Sequence, residues 1–254
     1  MQYTIASVTP SNLTDHPQAI CFINPKHPSY HFKVKWFQQR FEEGLRIKLL
    51  YPDGEKKAAA YIEYVPGEKA WRPVDAPGYL FIHCLWVSPD KNKKLGYGSA
   101  LINHCLQEAK TQGKKGLAVI SSSDSFMAEK QVFEKNGFTL LQSAKNHELL
   151  VLPISNGALP KMNDHAAHLP NYHGLHIVYS AQCPWVARFV DEVKQSPDYK
   201  QLKISITELK TPEEAQQAPS FYGVFTLINN GKLLSSHYIS STRFNNILRK
   251  EGLL

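Results

Sequence analysis

Leu85-Trp-Val-Ser-Pro-Asp-Lys-Asn-Lys-Lys-Leu-Gly-Tyr-Gly-Ser-Ala-Leu-Ile102 decides how the rest of this 254-residue chain is read. An apolar strand runs into a basic, glycine-bearing turn, and the turn opens straight into an amphipathic helix. The first N–H groups of a helix have no partner inside it, so such a start is a ready anion site. Gly96 and Gly98 let the backbone approach a bulky polyphosphate, and Lys91, Lys93 and Lys94 bring counter-charge. The stretch predicts a pyrophosphate cradle; a tight turn that merely needs small residues is the plainer alternative. Two nucleotide motifs are excluded. A Walker loop requires Gly-x-x-x-x-Gly-Lys-Ser/Thr, which does not fit here. A dinucleotide fingerprint requires a third small residue where Leu101 stands.

The flanks predict an alternation of strands and helices. Residues 2–8 read as a first strand. Phe32, Trp36, Phe37, Arg40 and Phe41 recur near the helical period, which predicts a helix over 28–43 ended by Gly44. Residues 45–51 and 58–65 read as strands around an Asp53-Gly54 turn. A loop follows over 66–77, then Tyr79–Val87, a near-continuous apolar run suited to a strand buried on both faces. Beyond the basic turn, Leu101, Ile102, Cys105, Leu106 and Ala109 share a helix face, and Gly113 stops it. Residues 116–120 predict a strand, 126–135 a short helix, and two strands run to Ile154.

Residues 155–172 carry Pro, Asn, Gly and His without a period and read as a linker. From His173 a second alternation begins. It comprises a strand at Leu175–Tyr179, a helix from Cys183-Pro-Trp to Gln195, and a strand at 203–208. A helical segment around Glu213, a hairpin turning at Asn229-Asn-Gly231 and a helix over 243–250 complete it. The fold class is mixed α/β, in two domains spanning 1–154 and 173–254.

Composition narrows the function classes. With 43% hydrophobic and 20% charged residues, the chain has the balance of a globular protein rather than a disordered one. No apolar run approaches the roughly 20 residues of a membrane helix, and the N-terminus lacks the charged and apolar regions of a secretory signal, so a cytoplasmic location is expected. The net charge of +7 comes from scattered lysines rather than a stripe, which argues against nucleic acid. Cysteines at 21, 84, 105 and 183 lack Cys-x-x-Cys spacing, so neither a structural zinc nor a disulfide framework is expected.

The basic turn resembles the acyl-CoA loop Arg/Gln-x-x-Gly-x-Gly/Ala of the GNAT superfamily of N-acetyltransferases, with Lys93 where Arg or Gln is usual. Val87-Ser-Pro resembles the end of that family's fourth strand, and Glu129-Lys-Gln-Val-Phe-Glu-Lys-Asn-Gly-Phe138 its later "Tyr-x-x-x-Gly-Phe" helix and turn. The tail, with Cys-Pro at its first helix start, looks thioredoxin-like. Together with Ile82-His-Cys-Leu-Trp-Val and Arg243-Phe-Asn-Asn-Ile-Leu it is similar to bacterial acetyltransferases that carry a YoaP-type C-terminal domain.

The resemblance implies transfer of an acetyl group from acetyl-CoA to a primary amine by direct attack. It places backbone groups of Leu85 and Val87 on the pantetheine arm, with the Val87 N–H polarising the thioester carbonyl. It wraps the pyrophosphate in Lys93, Lys94, Leu95, Gly96, Tyr97, Gly98 and Ser99, and it gives Ser125 a contact with the cofactor arm. Phe133 stands where many members have a proton-donating tyrosine. Glu63, His83 and Cys84 are the candidates for the base. A carboxylate raised by burial, or a histidine near neutrality, would suit amine deprotonation; His83 could equally be a hydrogen-bonded core residue. Strand alternation puts His83 and Cys84 on opposite faces, so at most one would line the cleft. Trp71 and Arg72, in the loop before the central strand, could cap the sheet or bind an acidic substrate. The acceptor stays open among antibiotic, amino acid, polyamine, peptide and protein lysine, and an oligomer is compatible with the chain.

Cys183 sits at a helix start, where the dipole favours thiolate. A dithiol partner three residues on is replaced by Val186. A single-thiol role or a degenerate module that binds substrate or a subunit remains. The alternative reading of the whole chain is a non-catalytic acyl-CoA-binding protein with a sensor or binding module around Cys183.

Overall fold

The computed structural model describes residues 2–123 and 127–254, and it folds the chain around two main sheets. The first half runs β1 (Tyr3–Val8), α1 (Tyr30–Arg40), β2 (Arg46–Pro52), β3 (Ala60–Pro66), β4 (Val74–Asp75), β5 (Tyr79–Val87), α2 (Tyr97–Thr111), β6 (Gly116–Ser122), α3 (Lys130–Glu134), β7 (Thr139–Ala144) and β8 (His147–Pro153). After β9 (Lys161–Met162), the second half runs β10 (Leu175–Tyr179), α4 (Pro184–Gln195), α5 (Pro197–Lys200), β11 (Ser205–Glu208), α6 (Pro212–Gln216), β12 (Phe225–Asn229), β13 (Lys232–Ser235) and α7 (Ser241–Lys250). Most of these elements lie where the periodicity predicts, with ends shifted by a few residues. The segment 155–172 is not featureless: β9 pairs with β4 and ties it to the loop that precedes β5.

The seven-stranded sheet has the order β1-β2-β3-β5-β6-β8-β7. Its neighbours are antiparallel except β5 and β6, which α2 connects as a parallel pair. That pair holds register only from Tyr79↔Gly116 to Ile82↔Val119. Beyond it β5 stays with β3 as far as Val87↔Ala60, and β6 stays with β8 as far as Ser122↔His147. Each strand follows its outer neighbour, so a wedge opens between them and leaves one backbone edge of β5 without a ladder partner.

The two faces of this sheet bury different layers. Leu101, Ile102 and Cys105 of α2 and Phe133 of α3 pack on Leu80, Ile82, Leu85 and Leu117. On the other face Trp36 and Phe37 of α1 meet Leu49, Tyr61 and Phe81, and the same cluster takes in Val178, Leu209 and Ala218 of the second half. The alternation of β5 breaks between these layers. Glu63 pairs with Cys84 and Tyr64 with Ile82, so His83 is an extra residue, a β-bulge. His83, Cys84 and Trp86 therefore line the same side as Phe81, whose ring meets that of His83, while Leu85 and Val87 face α2. The expectation that His83 and Cys84 face opposite ways is corrected by this one inserted residue.

The second sheet has the order β11-β10-β12-β13, with β10 and β11 parallel and the rest antiparallel. Phe189 and Val190 of α4 and Phe244 and Leu248 of α7 form its core. None of the helices among the described residues is long and apolar enough to cross a membrane.

The loop before β5 is held tightly at its root. A Cβ at Gly67 would fall inside the van der Waals shell of the Ala76 carbonyl oxygen, which is backbone and cannot turn aside. Gly67→Ala is expected to lower stability by about 1–3 kcal/mol, measured as a fall in the denaturant midpoint. An unchanged midpoint would show that the loop yields freely.

Candidate active site

The glycine turn forms the start of α2. Gly96 is the N-cap, in the left-handed region at φ 81°, and Lys94 lies there too at φ 64°. Glycine is needed at 96 for that conformation rather than for room, since an added Cβ would meet nothing within 4 Å. No side chain caps the helix, and its first backbone bond is Ala100 N–H to Gly96 O at 2.9 Å. Donors at the start of α2 are thus left for an anion. At Gly98 an added Cβ would lie 3.8 Å from both Leu85 and Val87, so the turn sits directly on the unpaired end of β5.

The other loop residues divide by role. Lys93 pairs with Asp90 at 2.7 Å, which spends part of the local positive charge. Leu95 is exposed, and the Ser99 hydroxyl accepts from Asn136 Nδ2 at 2.9 Å. Ser125 lies outside the described residues. Phe133 is buried against Phe138, with ring centroids 5.4 Å apart. Just past β5, Ser88 N–H bonds Ala59 O at 2.9 Å. Backbone directions alternate along a strand, so the N–H groups of Val87 and Leu85 point the opposite way, into the wedge.

On the α1 side of β5 lies a cavity of about 300 Å³. Glu63, Arg72, His83, Cys84 and Trp86 supply one wall, and Gln182, Cys183, Trp185 and Tyr222 of the second half supply the other. All three predicted base candidates and the predicted thiol therefore meet in one place.

A hydrogen-bonded circuit holds this wall. Lys33 Nζ donates to Glu63 Oε2 at 2.8 Å, and Gln182 Nε2 donates to Glu63 Oε1 at 2.9 Å. Gln182 Oε1 accepts from Arg72, whose Nη1 also donates to Trp71 O at 2.7 Å. Trp71 N–H donates to His83 Nε2 at 2.9 Å, and His83 Nδ1 stands 3.4 Å from Glu63 Oε1. Lys33 also lies 4.5 Å from the ring centroids of Trp36 and Phe37.

The circuit fixes protonation states. Burial would raise the Glu63 carboxyl, but the Lys33 ammonium and His83 outweigh it and hold it at about 2. The expectation of a raised carboxylate is thus corrected, because α1 delivers a buried cation to it. Burial lowers His83 to about 4, against the pull of Glu63, and Arg72 and Lys33 lower it further. Its Nε2 is already an acceptor, so His83 is a neutral ring that anchors the Trp71 loop. Neither group titrates near neutrality.

The thiols are protonated as well. Burial pushes Cys84 up to about 12, although Tyr61 donates to its sulfur at 3.0 Å. Burial also raises Cys183, and the N–H groups of Val186 and Trp185, with Lys33 and Arg72, only partly oppose it. The helix start predicts the opposite shift; partial burial under the roof of this cavity disfavours a thiolate by more than the helix start favours it. Cys183 is a lining thiol here rather than an activated one.

Lys33, Tyr61, Gln182, Trp185 and Tyr222 are site residues that the sequence reading missed. Lys33 carries a usable signal. It stands three, four and seven residues before Trp36, Phe37 and Arg40, on the buried stripe of α1, where a cation implies a buried anion. Gln182 and Tyr222 carry none, since they come into play only when the two halves meet.

Residues 13–138 match the Acetyltransferase (GNAT) family, and residues 203–246 match the YoaP-like family. The chain is 28% identical over 248 residues to the uncharacterized N-acetyltransferase YoaP of Bacillus subtilis (strain 168), covering 95% of this chain and 96% of that protein. Among solved structures, the ribosomal-protein-S18-alanine N-acetyltransferase of Escherichia coli is 19% identical, with 62% of this chain and 97% of that chain covered and a TM-score of 0.44. A GNAT family acetyltransferase of Brucella melitensis in complex with acetyl-CoA is 15% identical, with 64% and 94% covered and a TM-score of 0.41.

The two depressed pKa values set an acid profile. Glu63, at about 2 rather than 4.5, stabilises the fold above pH 4.5 and loses that contribution as pH falls toward 2. His83, at about 4 rather than 6.5, stays neutral while the unfolded chain takes a proton, so stability already falls between pH 6.5 and 4. Each shift corresponds to roughly 3 kcal/mol. Denaturant midpoints from pH 7 to pH 3 should fall from about pH 6.5 downward. A flat profile between 6.5 and 4.5 would show that His83 protonates freely.

Proposed function

We infer that this chain, whose residues 13–138 match the GNAT acetyltransferase family and whose residues 203–246 match the YoaP-like family, moves an acetyl group from acetyl-CoA to a primary amine held in the cavity between its halves. The observation that carries this reading is the pairing of an uncapped α2 N-terminus with the unpaired edge of β5. The first fits a pyrophosphate, and the second fits an extended pantetheine arm that continues the sheet. The residues present suit the co-substrate: open space over Gly96, apolar Leu85 and Val87 beside Gly98, and lysines 91, 93 and 94 nearby.

In this reading the backbone N–H groups of residues 95–99 bind the pyrophosphate, and those of Leu85 and Val87 receive the pantetheine arm. The Val87 N–H polarises the thioester carbonyl and takes up charge as the oxyanion forms. Cys84 and Trp86 bring the cavity wall to the same stretch of β5, so the amine approaches from the α1 side. Its nitrogen lone pair attacks the carbonyl carbon, a C–N bond forms and the C–S bond breaks. The thiolate leaves with the sulfur electron pair and is protonated through water, which carries to it the proton that the newly acylated nitrogen sheds, since Phe133 has none to give. Glu63 and His83 are too weakly basic at neutral pH to accept the ammonium proton, which passes to solvent before attack. Positioning and the oxyanion donor therefore carry the rate.

Two results are expected. Acetyl-CoA binds with Kd on the order of micromolar in calorimetry, and Gly96→Asp with Gly98→Asp abolishes binding by placing two carboxylates in the cradle. No binding by the unaltered protein would overturn the reading, and binding without CoA release toward any amine would leave an acyl-CoA-binding protein. The pH profile of kcat/KM should climb from pH 6 to the pKa of the acceptor amine. A plateau near 6.5 would instead reveal a histidine base.

A further inference from the structure

The cavity holds a cation that the circuit does not neutralise. Arg72 is 5% exposed, and its guanidinium has five donors, of which Nη1 serves Trp71 O and Gln182 Oε1. Among the described residues it has no acid within 4 Å, whereas Lys33 is matched by Glu63. Two buried cations thus face one buried carboxylate beside a neutral His83. A buried charge is ordinarily paired, so a missing anion is the simplest account of this arrangement. Arg72 lies 5.7 Å from the Tyr222 ring, which restricts it to the cavity wall.

The shape of the cavity narrows what that anion belongs to. About 300 Å³ suits a small molecule, at the lower end of ligand pockets. Trp86, 42% exposed on a central strand, faces it together with Trp185 and Tyr222. One molecule can satisfy these features: a carboxylate for Arg72, an apolar or aromatic body for the tryptophans, and an amine turned toward β5.

Resting on the acetyl-transfer reading above, we propose that the acceptor is a free α-amino acid with an apolar or aromatic side chain, whose carboxylate is bound by Arg72. The second half of the chain then builds the acceptor pocket, through Gln182, Trp185 and Tyr222. Acetylation consumes the neutral amine, left when the ammonium sheds one proton to solvent, and yields the N-acetyl amino acid and CoA thiol.

The test uses the full chain with acetyl-CoA and three matched probes: L-tryptophan, L-tryptophanamide and tryptamine, with the phenylalanine series beside them. CoA thiol release and product mass are read. The free acids should exceed the amides and decarboxylated amines at least about 10-fold in kcat/KM, and Arg72→Gln should raise KM for the free acids by about 10- to 100-fold, the loss of a charged hydrogen bond. Acetyl-CoA affinity should stay unchanged in that variant, and Arg72→Lys should restore part of the preference. Amides or amines that match the free acids in the unaltered protein would overturn the proposal while leaving acetyl transfer intact, and that comparison needs no variant to fold. Acetyl-CoA binding with no free acid bound or acetylated would overturn it equally. Absence of acetyl-CoA binding would remove the transfer reading and this proposal together.

Discussion

The Lys33–Glu63 ion pair is the constraint on which the site depends. Both side chains are almost wholly withdrawn from water, so each charge is tolerable only in the presence of the other. Removing one member of such a pair typically costs about 3–5 kcal/mol, because the survivor has no solvent to turn to. The pair pins α1 to β3, and Glu63 then organises its remaining oxygen toward Gln182 and His83. Through Gln182 the circuit crosses to the second half, and through His83 it reaches the Trp71 loop. A catalytic carboxylate and a structural one would look alike in sequence; the ammonium of Lys33 makes this one structural.

β5 is the element that turns this packing into a site. Its paired half is a buried strand like its neighbours, but its last residues lose β6 and gain a bulge. The lost partner exposes backbone donors on one edge, and the bulge swings His83 and Cys84 together onto one face. The glycine turn therefore presses on Leu85 and Val87 from one side, while the cavity opens on Cys84 and Trp86 from the other.

The second half contributes more than a separate module would. Val178, Leu209 and Ala218 join the core beneath α1, and Arg40 donates to Lys210 O at 3.3 Å. β9 fastens the connecting segment to β4. Placing Cys183, Trp185 and Tyr222 over the cavity withdraws the thiols there from part of the solvent, and that burial outweighs the helix start and two nearby cations.

The local chain was readable wherever short-range chemistry acts alone. Gly96 needs a left-handed backbone, the α2 stripe needs a period of 3.6, and the apolar run of β5 needs burial on both faces; each is written within a few neighbouring residues. That is why the turn, the order of elements and the two alternations were legible. His83 and Cys84 on one face were not, because a bulge depends on the register between two strands rather than on either strand alone. The charge state of Glu63 was not legible either, since it rests on a lysine 30 residues away. The lack of an acid within 4 Å of Arg72 among the described residues, and the burial that keeps the thiols protonated, arise only where distant segments pack together. Burial and pairing are properties of the assembled volume, and pKa values follow them.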